Sequence, residues 1–317
     1  MQTPGTPTFD QLRIFLAVVE TGSFAAAGRR LNRATSVISY GIANLEAQLG
    51  LALFEREGTK RPTLTVAGTA LLAEARTIAH GMDGLRAKAK GLLQGLEAEV
   101  RLVVDVMLPP RPLATVLNAF RAAFPTVSLR LYVEALGAVT ALVLDRRATI
   151  GISGPLSADF PELERVALGR VPLVPVAAPQ HPLAAGPQLP GAGRDHIQLV
   201  LTDRSSLTAG RDFSVLSDRS WRISDLGAKH ALLLQGIGWG NMPVPLVELD
   251  LFSGALVRLD MPDQPEVSYP LEGIWRADEA PGPAARWLLE RFGAVLDEKG
   301  ERTASAGALT VEPPISA

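Results

Sequence analysis

The stretch LRIFLAVVETGSFAAAGRRLNRATSVISYGIANLEAQLGLALFEREGTKRPTLTVAG, residues 12–68, decides the fold of the N-terminal part of the chain. Phe9, Leu12, Phe15, Leu16 and Val19 recur at steps of three and four, which lines them along one face of a helix. Thr21-Gly22 breaks that helix, and Ser23 is placed to cap a second one, FAAAGRRL, by accepting from a free backbone N–H. Asn32-Arg33 is a short polar turn. A third helix opens at Ala34 or Thr35, turns Ile38, Ile42, Leu45 and Leu49 inward, and ends at Gly50. Two short helices around a tight turn, the second polar outside, form the helix-turn-helix arrangement that lays a recognition helix in the DNA major groove. An apolar run (LALF), a charged turn (EREGTKRP) and a return strand (TLTV) then predict a wing.

The outer face of the third helix carries Thr35, Ser36, Ser39, Tyr40 and Asn44, whose hydroxyls and amide suit phosphates and base edges. Arg33, Arg56, Lys60 and Arg61 flank it and would neutralise phosphates, so binding should weaken with salt. A hydroxyl-rich helix face alone is usually a solvated surface. The ordered series of helix, turn, polar helix and basic wing is what makes it a DNA-binding prediction.

Across nearly its whole length this block resembles the N-terminal domain of LysR-type transcriptional regulators. The matching residues are Leu12, Phe15, Val19, Glu20, Gly22-Ser23-Phe24, Ala26-Ala27, Leu31, Ser39, Ile42, Leu45-Glu46, Leu49-Gly50, Leu53-Phe54, Arg56, Leu64-Thr65 and Ala67-Gly68. One departure bears on the target. Ala34-Thr35 stands where the family usually opens its recognition helix with Ser-Gln, and Tyr40 replaces a frequent Arg or His. Thr35 is too short for a bidentate grip on adenine, so contact there should be weaker or aimed at a thymine methyl or a phosphate.

Past the head, Leu71, Ala75, Ile78, Met82, Leu85, Ala89, Leu92 and Leu96 fall at alternating steps of four and three, the spacing of a coiled-coil seam. A helix over 67–96 would be roughly 45 Å long. The expected use of this seam is self-pairing through Leu71, Ile78, Met82, Leu85 and Leu92, because symmetric half-sites need a two-fold protein. The resemblance implies the same: a linker helix pairing two heads.

From Glu99 the apolar pattern changes to short runs alternating with helical stretches: VRLVVDVM, VSLRLYV, ATIGIS, VPLVPVAA, HIQLVLT, GIGWGNMP and LEGIWRA, with a last helix through Trp287, Leu288 and Phe292. Such alternation predicts a mostly parallel sheet with right-handed crossovers. The chain is thus expected to be an all-α winged helix-turn-helix head (1–66), a linker and dimerisation helix (67–96), and a two-lobed α/β, periplasmic-binding-protein-like effector domain (97–299). Lobe I should take about 97–166 and 268–299, and lobe II about 167–267. Residues 300–317, small and polar with Pro313-Pro314, are expected to be a disordered tail.

A cleft between two such lobes is the expected ligand site, with binding groups at the carboxyl ends of strands. That nominates Asp105, Met107, Ser153, Thr202, Ser205, Ser206, Thr208, Trp239 and Asn241. Hydroxyls placed as Ser205, Ser206 and Thr208 are more often loop caps than ligand contacts, and Trp239 reads more as core than as pocket. Asp105 either meets the ligand or caps the following helix. If it meets the ligand it would repel an acid unless protonated or neutralised by Lys229 or Arg211, which favours a neutral, phenolic or cationic effector.

Composition limits the other classes. The net charge of −2 argues against non-specific coating of nucleic acid, and the absence of cysteine excludes disulfides, thiolate metal sites and thiol redox switches. No signal peptide or membrane-spanning run is visible, so a cytoplasmic location is expected. The four histidines form no i, i+4 metal pair, and no HExxH, Walker A or GxSxG motif occurs, so neither catalysis nor a metal or other cofactor is expected. The reading is a ligand-responsive regulator that binds promoter DNA. The alternative is a solute- or effector-binding module whose helical head serves protein contacts or non-specific DNA architecture. Expected partners are double-stranded operator DNA, a small-molecule effector, a second copy of the chain in a homodimer extended to a homotetramer, and RNA polymerase, with no membrane.

Overall fold

Thr8 caps the first helix, α1 (Phe9–Thr21), by accepting from Gln11 N, while the Gln11 side chain accepts from Thr8 N, so two free donors of the first turn are used. Ser23 caps α2 (Phe24–Leu31) through Ala26 N, and Asn32 ends it in the left-handed conformation, φ 55°. α3 (Thr35–Leu49) follows and stops at Gly50. Ile38, Ile42 and Leu45 are buried against Ile14, Phe15, Val18 and Ala27, which is the core of the head. Among the described residues the wing shows one antiparallel bridge, between Phe54 and Leu64. Glu46 Oε1 accepts from Leu53 N (2.7 Å) and Phe54 N (3.2 Å), tying α3 to the start of that hairpin.

The computed structural model describes residues 5–55, 61–93, 95–211 and 213–306, the side chains of 157, 158 and 298–306 excepted, and the chain divides into two units, Met1–Gly91 and Leu92–Ala317. The division falls inside the expected linker rather than at its ends. The cause is packing. On α4 (Val66–Leu93) Ala75 is buried in the core of its own head, with Leu71, Leu72 and Ala79 against it. The expected seam is therefore split. Leu71 is a correction, since it faces its own head, and Met82 shares an apolar cavity with Phe9, Leu12 and Ile78. Ile78, Leu85 and Leu92, seven residues apart, are 50%, 62% and 51% exposed.

The second unit is a mixed sheet in the order β2-β1-β3-β9-β4-β7-β5-β6, with β8 pairing β4. Its strands are β1 (Glu99–Asp105), β2 (Ser128–Glu134), β3 (Ile150–Ser153), β4 (Leu163–Ala177), β5 (Gln198–Leu201), β6 (Ser220–Ile223), β7 (Trp239–Pro243), β8 (Val257–Arg258) and β9 (Val267–Arg276). The helices are α5 (Pro110–Ala123), α6 (Gly137–Leu144), α7 (Leu226–Leu234), α8 (Val244–Ser253) and α9 (Pro283–Ala306). β1 runs parallel to β2 and β3, and β5 to β6 and β7. The long antiparallel pair β4–β9 carries the chain between the two parallel groups. A bulge between Ala167 and Gly169 bends β4 between its β3-side and β7-side halves, as the strand twist there requires. The sheet is mixed because each crossing strand is antiparallel to its neighbours, β9 to β3 and β4, and β4 to β9, β7 and β8.

Both faces of β1 are covered. Val100, Leu102 and Val104 face one buried cluster and Val103 another, which explains the unbroken apolar run. Glu97 caps α9, accepting from Ala284 N and Ala285 N at 3.0 Å each. α9 continues to Ala306, which corrects the expected tail boundary at Gly300: no proline interrupts GERTAS, and its residues tolerate helix. The rest of that tail, 307–317, lies outside the described residues.

Candidate functional site

The outer face of α3 presents Thr35, Ser36, Ser39 and Tyr40 to solvent, with Asn44 half-buried at its end. Tyr40 is 69% exposed, an unusual position for a ring that could otherwise be buried. The face exists because the inward positions of the same helix, Ile38, Gly41, Ile42 and Leu45, are all buried. Arg33, in the turn that opens α3, makes a bidentate pair with Asp10 at 2.6 and 3.0 Å, which holds the Asp10 carboxyl below its ordinary range. Its guanidinium is thus positioned by α1 at the edge of the face. Arg61 is exposed at the far side of the wing hairpin. Arg56 and Lys60 fall outside the described residues.

In the second unit a cavity of roughly 120 Å³ lies where the lobes meet the crossing strands. Met107 and Leu136 come from lobe I, Leu199, Leu201, Phe213, Lys229 and Asn241 from lobe II, and Leu173, Val267 and Tyr269 from the crossing strands. Met107 and Asn241, both nominated by the sequence, line it.

Asp105 does not, and this is a correction. It is 1% exposed, and its carboxylate accepts from Met107 N (2.8 Å), Leu136 N (3.3 Å) and the Tyr269 hydroxyl (3.1 Å). Burial pushes that carboxyl up to about 6 against the three hydrogen bonds, and the nearby Asp203 adds to the rise. With Asp105 used internally, the reason for expecting a neutral, phenolic or cationic effector falls away.

The remaining nominations separate. Ser153 is fully buried, 3.5 Å from the Thr140 hydroxyl, and Thr202 donates its backbone N–H to Ile223 O; neither lines the cavity. Trp239 is core, its Nε1 donating to Gly193 O at 3.3 Å amid Leu183 and Met261. Ser205 and Ser206 line a second, more open cavity of about 340 Å³ beside α6. Thr208 donates to Asp203.

Asp203 is the residue that links those hydroxyls to the other lobe, and it was not nominated. Its carboxylate accepts from Ser205 Oγ (3.1 Å), from Thr208 Oγ1, and from Ala138 N (2.9 Å) in the first turn of α6. A negative charge at a helix N-terminus is favourable. Gly137 permits the approach, since a Cβ there would lie 2.8 Å from Ser205 Oγ and 2.9 Å from Asp203 Oδ2. The lobes are thereby clasped at one edge. Asp203→Ala is expected to destabilise the second unit by about 1–3 kcal/mol, because Ala138 N–H and two hydroxyls lose their acceptor. A calorimetric melting temperature equal to that of the parent would refute the clasp.

Lys229 is the other addition. The sequence offered it only as a neutraliser of Asp105. It is 3% exposed, and its ammonium donates to Asn241 O at 2.7 Å. Burial lowers its pKa to about 7.

Comparison with known proteins gives a consistent result. The family described as "Bacterial regulatory helix-turn-helix protein, lysR family" matches residues 9–69, and "LysR substrate binding domain" matches residues 93–297. Among curated proteins, the HTH-type transcriptional regulator AceR of Acinetobacter baumannii is 29% identical over 290 residues, covering 89% of this chain and 95% of the relative. The HTH-type transcriptional activator AllS of Salmonella paratyphi A is 31% identical over 277 residues, covering 84% and 87%. A solved mutant of Corynebacterium glutamicum OxyR shares the fold, with a TM-score of 0.55 at 19% identity over 99% of this chain and 100% of that one.

Proposed function

Because the chain belongs to the LysR family of bacterial helix-turn-helix regulators, and is a ligand-responsive transcriptional regulator, we propose that the outer face of α3 reads its operator and that the inter-lobe cavity holds its effector. The observation that carries the first assignment is the exposed row Thr35, Ser36, Ser39 and Tyr40 on a helix whose opposite face is core. Hydroxyls there reach phosphates and base edges, and the ring of Tyr40 can pack on a thymine methyl. Arg33, Arg61 and, in the wing, Arg56 and Lys60 supply the phosphate contacts. Asn44 contributes from the far end of the face. For the effector, Met107 and Asn241 remain the contacts from the sequence reading, joined by Lys229 and Tyr269.

Two heads act together, through Ile78, Leu85 and Leu92 of α4 in two copies. The dimers assemble as a tetramer in which effector binding changes how the heads are spaced. The regulator works in the cytoplasm and contacts RNA polymerase at the promoter, without catalytic activity of its own.

Ser39→Ala combined with Tyr40→Ala is the direct test of the reading face. Operator affinity, measured by fluorescence anisotropy on a fragment of the chain's own promoter region, is expected to fall about tenfold to a hundredfold, at 1–3 kcal/mol for each lost base contact. Affinity for random duplex should barely change. Equal affinity of the unmodified protein for its promoter fragment and for random duplex at physiological salt would end the operator reading.

A further inference from the structure

Lys229 is a buried cation for which, among the described residues, no carboxylate supplies a counter-charge. Among the described residues its ammonium makes one hydrogen bond, to Asn241 O, and the lowering of its pKa has burial as its sole resolved cause. The strand beneath is shaped to admit it. Gly240 of β7 leaves room for the lysine stem, since a Cβ there would lie 3.1 Å from Lys229 Cε and 2.6 Å from Leu199 O. The Gly-rich run GIGWG thus serves a side-chain approach rather than a nucleotide.

Next to it, the side-chain Oδ1 of Asn241 is buried without a hydrogen-bond partner. An ammonium with donors to spare on a cavity calls for a ligand acceptor, since buried polar atoms are otherwise paired, while Asn241 Oδ1, itself an acceptor, would take a ligand donor. Apart from the Ser214 hydroxyl, the rest of the lining is apolar or already committed. Gln198 is used by Ser214 O, Leu216 N and Ser217 N, and the Tyr269 hydroxyl donates to Asp105. The other titratable groups near the lysine are likewise turned away: Asp225, at the start of α7, accepts from Ala228 N, and His230 pairs with Asp250. Among the described residues no carboxylate lines the cavity.

Resting on the reading of this cavity as the effector site, we propose that its ligand is a compact monocarboxylate, seated with its carboxylate accepting from Lys229 Nζ and its apolar body against Leu136, Leu201, Phe213 and Val267. A closed cavity of about 150 Å³ holds benzene, so one of roughly 120 Å³, open at Val267, limits the ligand to a compact body no larger than a single ring. The carboxylate supplies the counter-charge that the fold withholds. Because the lysine of the empty site is half-neutral near pH 7, the acid binds with proton uptake above that pH.

The test uses the full-length protein and three probes of one shape: benzoate, benzamide and benzylamine, each titrated calorimetrically at pH 6.5 and pH 8.5. Benzoate is expected to bind, and to bind about tenfold more weakly at the higher pH. Benzamide and benzylamine should bind at least tenfold more weakly than benzoate at pH 6.5. Lys229→Met should abolish benzoate binding, and so should Val267→Trp, which fills the cavity from a position 40% exposed at its mouth. Thermal melting of both variants confirms that they fold. Benzoate binding that survives Lys229→Met but is lost in Val267→Trp overturns the carboxylate class and keeps the cavity. So does benzamide or benzylamine binding as tightly as benzoate. Binding that survives Val267→Trp overturns the cavity itself, and binding by none of the three probes overturns the proposed class.

Discussion

Replacing Leu85 by Asp is expected to leave the chain monomeric and to lower its operator affinity at least a hundredfold. Leu85 sits at the middle of the exposed row Ile78, Leu85 and Leu92, with 62% of its surface in water, so the substitution removes little packing within its own chain. In a symmetric helix pair the two Leu85 side chains meet, and the change would place two carboxylates in an apolar seam. Burying even one unpaired carboxylate costs several kcal/mol, enough to dissociate the pair at micromolar concentration. A single head then holds half the phosphate and base contacts, so the salt dependence of binding should also fall to about half. Sedimentation equilibrium and a salt series of anisotropy titrations check both effects. An unchanged sedimentation mass would remove the seam from the account, while the same affinity in a true monomer would show that one head suffices.

Lys229→Met should raise the melting temperature of the effector domain at pH 6 and lower it at pH 10, where little charge penalty remains to offset the lost hydrogen bond. Lowering the lysine from 10.5 to about 7 means that, between those values, the unfolded chain holds a proton that the folded chain does not. Stability of the parent therefore falls as pH drops through that window, and the full penalty is present below pH 7. At about 1.36 kcal/mol per pH unit the gross penalty is on the order of 5 kcal/mol. Methionine removes it at similar volume, but leaves Asn241 O without its donor, which costs about 1–3 kcal/mol. A net gain of about 2–4 kcal/mol at pH 6 remains. Scanning calorimetry of the full-length variant at the two pH values reads it. A lower melting temperature at pH 6 would mean that the lysine is not held against its charge. The gain in stability and the loss of ligand binding would be one substitution's two faces, since strained charge at a binding site is relieved by its ligand.

The head was legible almost to the residue because its signals are local. Ser23, Gly22, Asn32 and Gly50 each act within a few residues, and the predicted bounds of α2 and α3 agree with Phe24–Leu31 and Thr35–Leu49. The heptad pattern of α4 was also visible, but spacing alone does not say whose surface it meets. Leu71 and Ala75 fit their own head as well as a partner, and three-dimensional proximity assigns them to the head.

In the effector domain the strands were legible and the lining only partly so. Trp239 and Asn241 share a face of β7, yet a shift of roughly 7 Å along the strand separates core from cavity. The first lies opposite Ala177 and the second opposite Pro175, a register that β4 sets and that no local pattern encodes. Among the residues that matter most, Asp203 is joined to Ala138 across 65 positions of sequence, and Tyr269 to Asp105 across 164. Periodicity does not reach that far.

The sequence by itself determined the helix-turn-helix head, the seven-residue spacing of α4, the strand-and-helix alternation behind it and the family. Each follows from caps, breakers and apolar periods that act over a few residues. Only the tertiary structure decided that Asp105 is internal, that Asp203 clasps the lobes, and that Lys229 stands unpaired beside Asn241. The physical reason is that charge and hydrogen-bond satisfaction inside a protein are settled by which distant groups the packed core brings within about 3 Å, and that distance is a property of the fold as a whole.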